Sequence, residues 1–457
     1  MLSFIIIQSL ALPFLASIAC AFDLDVSSPD SLKSTAKTLA GGIIGAYNSQ
    51  PEGSVIGLFS GTGDPYWFWE SGAVWNALIE YSYLTGDSQY DAIINEALRW
   101  QVGDANNFMP VNQTKVLAND DQSIWALAAL TAAETKFPLK PEQGEWIDVA
   151  KNVFDDQVVR WDNRCDGGLQ WEIFSFNLGY NYKNSASNVG FFLLAARLAK
   201  FTGNTTYEEW AKKSFEWLQD VGLVSEDYHV FDGTDANTNC EQINHIQWSA
   251  WHGLATEGAA IMYNLTNGGS KWKDAVAGFA NWSSVFVRGN SSILFETACE
   301  TNNKCDIGQK AYKGIAIRSF SRAALYAPFT SSSFHDMLEA SAENAAESCK
   351  GEGKDLTCSF IWFEESEPIE VSDEGLGQAF NALGAVQALL YSDANIAPNG
   401  DSPNSANPTA DPTVSGSASP SGAGTAVPAD GTNAAGIIAS IWAPGAFAGV
   451  LALLVIY

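Results

Sequence analysis

Two adjacent aspartates are the residues whose types and spacing most directly suggest chemistry. Asp120 and Asp121 stand at the start of a helical segment that continues SIWALAALTAAE. Neighbouring positions around a helix differ in direction by about 100°, which allows the separation of roughly 5 Å that retaining glycosidases use. One carboxylate could attack the anomeric carbon of a sugar while the other, kept protonated by its neighbour's charge, protonates the leaving oxygen.

The same segment also has a purely structural interpretation. Asn119 is a favourable N-cap residue, and Gln122 at the third helical position completes a capping box. Acidic residues in the first turn complement the positive end of the helix dipole. The spacing alone therefore leaves open whether the two aspartates act on a substrate or only stabilise the start of a helix.

Long loops rich in glycine, asparagine, aspartate and aromatic residues could surround the aspartates. They cover residues 61–72, 106–122, 162–188 and 231–248. Loops longer than chain closure requires are often functional in compact domains. Their tryptophans could stack on the C–H faces of sugars or belong to the core. These tryptophans are Trp67, Trp69, Trp161 and Trp171.

Polar side chains in these loops could bind a ligand. Lys183 and Asn184 offer hydrogen-bond donors for sugar hydroxyls, whereas Ser187 and Asn188 could simply cap the helix that follows. The acidic run at 232–239 suggests calcium, but it lacks the glycine and the distal glutamate of an EF-hand loop. We interpret that run as an ordinary polar loop, and we expect no metal site and no cofactor.

The elements that position these loops are expected to be helices. Between residues 22 and 396, the predicted catalytic domain, apolar stretches at helical spacing alternate with polar loops. The stretches lie near 30–48, 71–85, 89–102, 120–135, 143–160, 185–202, 205–220, 246–265, 271–287, 310–327, 333–350 and 374–392. This pattern predicts an all-α body, in which consecutive helix pairs could close into an (α/α)6 toroid of six hairpins. A linear solenoid is the alternative, although no fixed-length repeat supports it.

The overall composition limits the possible functions. The chain of 457 residues carries 52 acidic and 24 basic side chains, which gives a net charge of −28. An acidic surface repels phosphate backbones, so we expect no nucleic-acid partner. The hydrophobic share of 46% supports a large core, and the aromatic share of 12% suits neutral ligands with flat apolar faces, such as sugars.

Both ends of the chain have the pattern of targeting segments. Residues 1–21 contain no charged side chain and end on the small-x-small site ACA, which predicts a signal peptide. Residues 397–435 are rich in Ser, Thr, Pro and Gly, which predicts an extended, O-glycosylated stalk. Residues 436–457 are apolar and predict a glycosylphosphatidylinositol (GPI) anchor signal, with a permanent tail helix as the alternative. Attachment at 433–435 or at 424–426 fits the pattern, and we expect a monomer at the plasma membrane or in the cell wall.

Cysteines and sequons agree with passage through the secretory route. An even number of cysteines after the predicted cleavage site is typical of disulfides. Zinc is the rival interpretation, but the chain has only four histidines and neither a CxxC nor an HExxH motif. Short loops favour two disulfides and leave the third by exclusion: Cys299–Cys305, Cys349–Cys358 and Cys165–Cys240. Five sequons predict N-glycosylation in exposed loops, at Asn112, Asn204, Asn264, Asn281 and Asn290.

An ordered set of motifs resembles fungal members of glycoside hydrolase family 76. The motifs are WFWESGAVWNALIEYSYLTGD (67–87), LANDDQSIWALAALTAAE (117–134), CDGGLQWEI (165–173), NLGYNYKNSASNVGFFLLAARLAKFTGN (177–204) and AYKGIAIR (311–318). The resemblance covers the body from residue 25 to residue 392. It implies an (α/α)6 toroid, a retaining mechanism and an α-1,6-mannanase-like wall protein with a signal peptide and a GPI anchor.

The resemblance also implies roles for individual residues. Asp120 resembles the nucleophile that forms a mannosyl-enzyme, and Asp121 resembles the general acid and then base. We expect the glycan cleft to be bordered by Trp69, Trp171, Lys183, Asn184, Asn188 and Lys313. The sequence departs from the family pattern at 248–253, WSAWHG, where relatives usually show a Trp followed by a Tyr-Asn pair.

Three functions remain under consideration at this point. The favoured one is a retaining glycosidase that cleaves internal α-1,6-mannosidic linkages of mannan in fungal cell-wall biogenesis. The second is a transglycosylase that moves GPI-anchored proteins from their anchor glycan onto wall polysaccharide, with wall glucan as the acceptor. The third is a non-catalytic wall protein that binds mannan, although a binder needs neither Asp120 nor Asp121.

Overall fold

A computed structural model describes residues 21–60, 66–113, 115–138, 144–363 and 375–392. The predicted signal peptide up to residue 20, the stalk at 397–435 and the anchor signal at 436–457 lie outside these ranges. All of the described residues belong to one compact unit, Met1–Pro403. Within them, no helix is both long enough and apolar enough to cross a membrane.

The described residues contain twelve α-helices, which follow the stretches predicted from the sequence. They are α1 (Pro29–Asn48), α2 (Phe68–Thr85), α3 (Asp91–Gln101), α4 (Asn119–Glu134), α5 (Trp146–Val159), α6 (Ser185–Thr202), α7 (Thr205–Asp220), α8 (Ser249–Leu265), α9 (Ser270–Trp282), α10 (Tyr312–Tyr326), α11 (Ser331–Glu347) and α12 (Leu376–Ala388). The predicted ends of α9 and α12 are too late, because the chain tightens there into the 3-10 turns Ser283–Phe286 and Leu389–Ser392.

The even-numbered helices form a closed inner ring. Each contacts the next even-numbered helix from α2 to α12, and α12 contacts α2 again. These helices are buried around almost their whole circumference, whereas the odd-numbered helices bury only one face against the ring. Small residues allow close approach: a Cβ atom on Gly253 of α8 would lie 2.7 Å from the Cα atom of Ala316 in α10. The predicted all-α (α/α)6 toroid is confirmed.

The described part of the chain also contains two small antiparallel sheets between the helices. Strands β1 (Tyr182–Asn184), β2 (Gly233–Asp235) and β3 (Ile243–Asn244) form one sheet, and β4 (Cys349–Lys350) and β5 (Thr357–Cys358) form the other. In the first sheet Asn184 pairs with Gly233, and Tyr182 pairs with Asp235. Part of the run at 232–239 is therefore a strand that supports the loop at 162–188, and not the ordinary polar loop that we expected.

The disulfide pairing agrees with the prediction in all three cases. The bonds are Cys165–Cys240, Cys299–Cys305 and Cys349–Cys358. The first spans 75 residues and ties the loop at 162–188 to the loop at 231–248. A crosslink over that length removes many conformations from the unfolded chain, and here it also joins the two loops that the first sheet connects.

The sequon asparagines are mostly exposed, but two of them are not in loops. Asn112, Asn204 and Asn290 are exposed and lie outside helices or at a helix start. Asn281 is exposed within α9, and Asn264 is half-buried in α8, where its side chain accepts a hydrogen bond of 2.7 Å from Lys200. The expectation of loop positions is therefore wrong for Asn264 and Asn281, and glycosylation itself stays a prediction.

A network of buried charges lies inside the inner ring. Every inner helix contributes to it, through Glu80 (α2), Glu134 (α4), Arg197 (α6), Glu257 (α8), Arg318 and Arg322 (α10) and Gln387 (α12). The guanidinium of Arg322 pairs with Glu80 at 3.3 Å, Glu134 at 3.2 Å and Glu257 at 2.7 Å. Buried charges are tolerated when they are paired in this way, so the network links all six inner helices.

Candidate active site

A cleft of about 580 Å³ opens at the N-terminal end of α4. Carboxyl groups and aromatic rings dominate its lining. The acidic residues are Asp120, Asp121, Glu172, Asp232 and Asp306, and the aromatic ones are Trp67, Trp69, Trp171, Tyr182, Trp251 and Tyr312. No lysine, arginine or histidine lines the cleft among the residues that the structure describes. The cleft is thus acidic and has aromatic walls, as a site for neutral or cationic sugars would be.

Asp121 occupies the third position of α4 and is held by two backbone groups. Its Oδ2 atom accepts a hydrogen bond of 3.0 Å from the N–H of Ala118, the residue that precedes the helix. Its Oδ1 atom accepts one of 3.0 Å from the N–H of Trp69 at the start of α2. The side chain of Asp121 therefore connects two inner helices and has a fixed orientation towards the cleft.

Asp120 precedes it on the helix and also has a partner at each oxygen. Its Oδ2 atom accepts a hydrogen bond of 3.0 Å from the side-chain amide of Asn184, which follows Lys183 in β1. Its Oδ1 atom accepts one of 2.9 Å from the backbone N–H of Asp121. Hydrogen bonds to a carboxylate favour its ionised form, so these contacts suit a group that reacts as an anion.

The predicted capping box of Asn119 and Gln122 is wrong. Helix α4 already begins at Asn119, and the residue before it is Ala118, whose side chain has no oxygen to cap with. The amide of Asn119 instead donates to the carbonyl of Gln170 at 2.9 Å, and that of Gln122 donates to the carbonyl of Asn107 at 2.6 Å. Both residues bind neighbouring loops to the start of α4, which leaves Asp121 to satisfy the N–H of Ala118.

Burial raises the pKa of both aspartates. The pKa of Asp120 rises to about 7, because loss of solvent outweighs the hydrogen bonds from Asn184 and from the N–H of Asp121. The pKa of Asp121 is raised well above its ordinary value, because the charge of Asp120 adds to the effect of burial. The two adjacent carboxyl groups therefore titrate as a coupled pair, which ionises at higher pH than isolated aspartates do.

Three tryptophans of the predicted set reach the cleft, and one does not. Trp67 is 60% exposed and Trp171 is 36% exposed, so both present ring surface at the rim. Trp69 lies deeper, with its ring 5.8 Å from that of Tyr312. Trp161 instead packs against Trp210 in the outer ring, at 5.5 Å between ring centroids. Of these four predicted tryptophans, only Trp67, Trp69 and Trp171 can contact a ligand in this cleft.

Three residues that we expected to border the cleft lie inside the protein. Lys183, Asn188 and Lys313 are all 0% exposed and do not line the cleft. The amide of Asn188 exchanges hydrogen bonds with the backbone of Leu169, and the ammonium of Lys313 pairs with Glu300 at 3.0 Å. The prediction that these three side chains contact a glycan is therefore wrong. A buried polar side chain that forms hydrogen bonds with the backbone supports a loop instead.

Asn184 lines the cleft as expected and has a second role. Its Oδ1 atom accepts a hydrogen bond of 3.1 Å from the N–H of Ser187, which makes it the N-cap of α6. The alternative that Ser187 or Asn188 caps this helix is therefore wrong. Because the cap fixes one side of the Asn184 amide, its NH₂ group is directed at Asp120.

Glu172 is a cleft residue that the sequence reasoning missed. Its backbone forms an antiparallel bridge with Ala118, and its carboxylate accepts a hydrogen bond of 2.8 Å from Asn177. Its negative charge contributes to the raised pKa of both Asp120 and Asp121. The signal available in the sequence was its position directly after Trp171 in a quoted motif.

Asp232 is a second missed residue, on the side of the cleft formed by the loop at 231–248. Its carboxylate accepts hydrogen bonds from the hydroxyl of Tyr182 at 2.6 Å and from the indole of Trp248 at 2.7 Å. Asn244 donates a further one at 3.0 Å. These three donors hold the carboxylate of Asp232 in a fixed orientation on this side of the cleft.

Comparison with known proteins assigns the chain to a family. The sequence pattern of Glycosyl hydrolase family 76 matches residues 31–400. The chain belongs to this family. Family 76 relatives include a putative mannan endo-1,6-alpha-mannosidase from Schizosaccharomyces pombe, which is 39% identical over 380 residues, 82% of this chain and 84% of the relative. The mannan endo-1,6-alpha-mannosidase DFG5 from Saccharomyces cerevisiae is 37% identical over 379 residues, 82% of this chain and 81% of the relative.

Solved structures of family 76 proteins have the same fold. Dfg5 from Chaetomium thermophilum in complex with glucosamine has a TM-score of 0.75 and 35% identity, over 81% of this chain and 92% of that one. An inactive variant of the alpha-1,6-mannanase GH76A of Salegentibacter sp., in complex with alpha-1,6-mannotriose, has a TM-score of 0.62 over 79% of this chain and 99% of that one. Its identity is 20%, so it supports the fold alone.

The segment at 248–253, for which we expected a departure from the family pattern, contributes two rings to the site. Trp251 lines the cleft with its ring 5.1 Å from that of Tyr312, and the indole of Trp248 holds Asp232. His252 points away and is fully buried, with its Nε2 atom 2.9 Å from the carbonyl oxygen of Phe279. The segment at 248–253 therefore forms part of one wall of the cleft.

Metal-dependent chemistry has no evident ligand set in the described part of the chain. No group of three or more histidine, cysteine, aspartate or glutamate residues there is arranged to hold a metal ion. All five cleft carboxylates instead accept hydrogen bonds from amide, hydroxyl, indole or backbone donors. One of them, Asp306, is also exposed.

Proposed function

We propose that this member of family 76 is a retaining glycosidase that cleaves internal α-1,6-mannosidic linkages of mannan. The observation that carries the proposal is the pair of adjacent carboxyl groups at the cleft, Asp120 and Asp121, each of which is held by two hydrogen bonds. A retaining mechanism needs two such carboxyl groups in one cleft, one as the nucleophile and one as the acid. The names of the fungal relatives support the choice of substrate.

In the proposed first step, Asp120 attacks the anomeric carbon and Asp121 protonates the departing glycosidic oxygen. The amide of Asn184 orients the nucleophile, and the N–H groups of Ala118 and Trp69 hold the acid. In the second step Asp121, now ionised, takes a proton from water, which displaces the sugar from Asp120. Two inversions at the anomeric carbon leave its configuration unchanged.

The shape of the cleft supports binding within a chain and not only at its end. Trp67 and Trp171 are exposed at the rim, while Trp251 and Tyr312 lie on the lining. Four aromatic rings in the same cleft as the carboxyl pair can support more than one sugar unit. We therefore propose endo cleavage, which gives shorter oligosaccharides as the first products.

Product analysis tests the reaction type. With α-1,6-mannan oligosaccharides as substrate, we expect proton NMR to show α-configured reducing ends first, because retention keeps the configuration of the substrate. The earliest products should be internal fragments and not mannose alone. A β-configured first product would contradict retention, release of mannose alone would contradict endo cleavage, and the absence of any product would favour the non-catalytic binder.

The pH dependence follows from the two aspartates. Activity requires Asp120 ionised and Asp121 protonated, so kcat/KM should rise as the pH increases through about 7 and fall again at higher pH. The measurement is kcat/KM across the pH range, with the thermal stability of the enzyme recorded at each point. An acid limb below pH 5 would contradict the proposed role of the buried Asp120 carboxylate.

The same pKa shift gives the sign of a stability effect. Burial raises the pKa of Asp120 in the folded protein to about 7, from an ordinary value of 3.8, so folding favours the protonated form. Its contribution to stability is complete below the unfolded pKa and is lost as the pH rises through about 7. The Asp120→Asn variant has no carboxyl group here and therefore does not lose this stability as the pH rises. The melting temperature of the variant minus that of the wild type should thus increase from pH 5 to pH 8.

Transglycosylation is a second candidate that the acidity of the cleft favours. Glu172, Asp232 and Asp306 surround the pair with negative charge, which attracts the ammonium group of an unacetylated amino sugar. The Chaetomium thermophilum relative, at 35% identity, has been crystallised in complex with glucosamine. A glycan that contains such a sugar could donate a mannosyl chain to a wall polysaccharide. Repeating the product analysis with an added glucan acceptor distinguishes transglycosylation from hydrolysis, because transfer gives products that are longer than the substrate.

We propose the fungal cell surface as the site of action. The three disulfides fit an oxidising compartment, and four of the five sequon asparagines are exposed. Anchoring through a GPI lipid, removal of the signal peptide and the monomeric state stay predictions from the sequence. A lipid anchor would keep the cleft near the membrane, where GPI-linked glycans and wall polysaccharides meet.

A further inference from the structure

Lys183 is a buried cation that the proposed reaction does not use. Its ammonium group donates hydrogen bonds to the carbonyl oxygens of Arg164 and Gly167, and lies 3.3 Å from a carboxylate oxygen of Asp162. Burial lowers the pKa of Lys183, an effect that the charge of Asp162 opposes. Burying a charge is unfavourable unless its partners offset the loss of water. All of the hydrogen-bond and ion-pair partners of this ammonium group belong to one turn, at 162–168.

This turn does not keep its shape through local preferences. Cys165 and Asp166 have φ angles of +54° and +58°, in the left-handed region that is unfavourable for most side chains. The turn also passes very close to Trp217: a Cβ atom on Gly168 would lie 2.3 Å from that ring. A conformation of this kind persists only when contacts from elsewhere impose it, and Lys183 supplies such contacts.

The turn is connected to strand β1 by two independent routes. The direct route is the ammonium group of Lys183, which is itself a residue of β1. The indirect route runs through the Cys165–Cys240 disulfide and strand β2, in which Thr234 pairs with Lys183. We call this closed arrangement of β1, β2, the disulfide and the turn at 162–168 the loop clasp. It fixes the position of β1 from both sides.

Strand β1 carries the residue that contacts the nucleophile. Alternate residues of a strand face opposite sides; Tyr182 and Asn184 line the cleft, while Lys183 points into the turn. The amide of Asn184 reaches Asp120 at 3.0 Å. Hydrogen bonds weaken steeply with small displacements, and functional groups must be held within roughly 0.5 Å. A shift of β1 therefore changes the environment of Asp120.

We propose that Lys183 is a positioning residue, which through the loop clasp keeps the amide of Asn184 in contact with Asp120. The proposal rests on the proposed role of Asp120 as nucleophile. It gives the buried Lys183 a function in the reaction without any contact with the glycan. Removing the cation should release the turn, displace β1 and weaken the hydrogen bond that favours the ionised form of Asp120.

The test is Lys183→Met, which keeps the length of the side chain and removes its charge. We expect kcat to fall by about tenfold with little change in KM, because positioning of the nucleophile affects the chemical step. The acid limb of the pH profile should move to higher pH, because Asp120 loses a donor that favours its ionised form. Lys213→Met is the matched control: Lys213 is exposed, contacts the ring of Trp210 at 4.1 Å and should leave the acid limb in place.

Removing the disulfide provides an independent arm. The double variant Cys165→Ser/Cys240→Ser opens the second route of the loop clasp and should move the acid limb in the same direction. When Lys183→Met is added to this double variant, the acid limb should shift by less than the sum of the two separate shifts, because both changes act on strand β1. Cys349→Ser/Cys358→Ser is the control, since that bond joins β4 and β5, whose residues do not line the cleft.

The possible outcomes decide the proposal clearly. A folded Lys183→Met enzyme with an unchanged kcat and an unchanged acid limb would overturn it, as would an equal shift in Lys213→Met. If Lys183→Met does not fold, Asp162→Asn weakens the same contact more gently, and the absence of a shift there would also overturn it. Full activity in Asp120→Asn would instead refute the proposed function, which makes the two failures distinguishable.

Discussion

Asp120→Asn should lower kcat/KM on α-1,6-mannan oligosaccharides by about 10,000-fold, because an amide cannot attack the anomeric carbon. The side chain keeps its size, so the hydrogen bond from Asn184 is the main contact that changes. The measurement is the rate of product formation at the pH optimum of the wild type. The control is thermal stability, which should not decrease, because the substitution removes a buried carboxyl group whose ionisation is unfavourable.

Asp121→Asn should show a different pattern on the same measurement. On mannan oligosaccharides we expect a loss of about 100- to 10,000-fold, the usual contribution of general acid catalysis. On an aryl α-mannoside with an acidic phenol as leaving group the loss should be much smaller, because that oxygen departs without protonation. Equal losses on both substrates would contradict the role of Asp121 as the acid. Undiminished activity in Asp120→Asn or in Asp121→Asn would refute the catalytic role of the residue that was replaced.

Arg322→Met should be the most destabilising single substitution inside the ring. Arg322 is 4% exposed and pairs with Glu80, Glu134 and Glu257. Removing one partner of a buried ion pair typically reduces the free energy of unfolding by about 3–5 kcal/mol, because the remaining charges stay buried without compensation. The measurement is denaturant unfolding followed by circular dichroism.

A surface ion pair provides the matched control for this loss. Lys212→Met removes the partner of Glu208, which lies one turn away on α7 and is partly exposed. Pairs of this kind contribute about 0.5 kcal/mol or less, so the midpoint of unfolding should hardly move. Similar stability of Arg322→Met and Lys212→Met would show that the buried network does not hold the inner helices together.

The helices were the most predictable part of the fold. Apolar stretches at helical spacing gave α6 and α7 with their correct ends, Ser185–Thr202 and Thr205–Asp220. The closure into a toroid relied on the family resemblance, because no exact repeat marks the hairpins. The ion network could not be predicted: Arg322 and Glu80 are 242 residues apart, and only the closed ring brings them together.

The candidate site was predictable only where its residues are adjacent in the sequence. Asp120 and Asp121 are neighbours, so their pairing needed no knowledge of the fold. Glu172 and Asp232 reach the cleft through a bridge to Ala118 and through the small sheet, which are long-range contacts. Composition and spacing contain no information about such contacts, and these residues were missed.

The direction of individual side chains was equally hidden. Lys183 and Asn184 are consecutive and both polar, and the sequence favoured a ligand contact for each. In β1 they face opposite sides, so that Asn184 lines the cleft and Lys183 is fully buried. The capping role of Asn119 was likewise plausible by residue type, but α4 begins one residue earlier than that role requires. Register, and not residue type, decided these cases.

The most direct test of the proposed mechanism is to trap the mannosyl-enzyme. An activated 2-fluoro-mannoside slows both steps, and with a good leaving group it allows the covalent intermediate to accumulate. After digestion, mass spectrometry should find one added sugar on the peptide that contains Asp120, and none on that peptide in Asp120→Asn. A label on Glu172, on Asp232 or on any other peptide would contradict the assignment of Asp120 as the nucleophile.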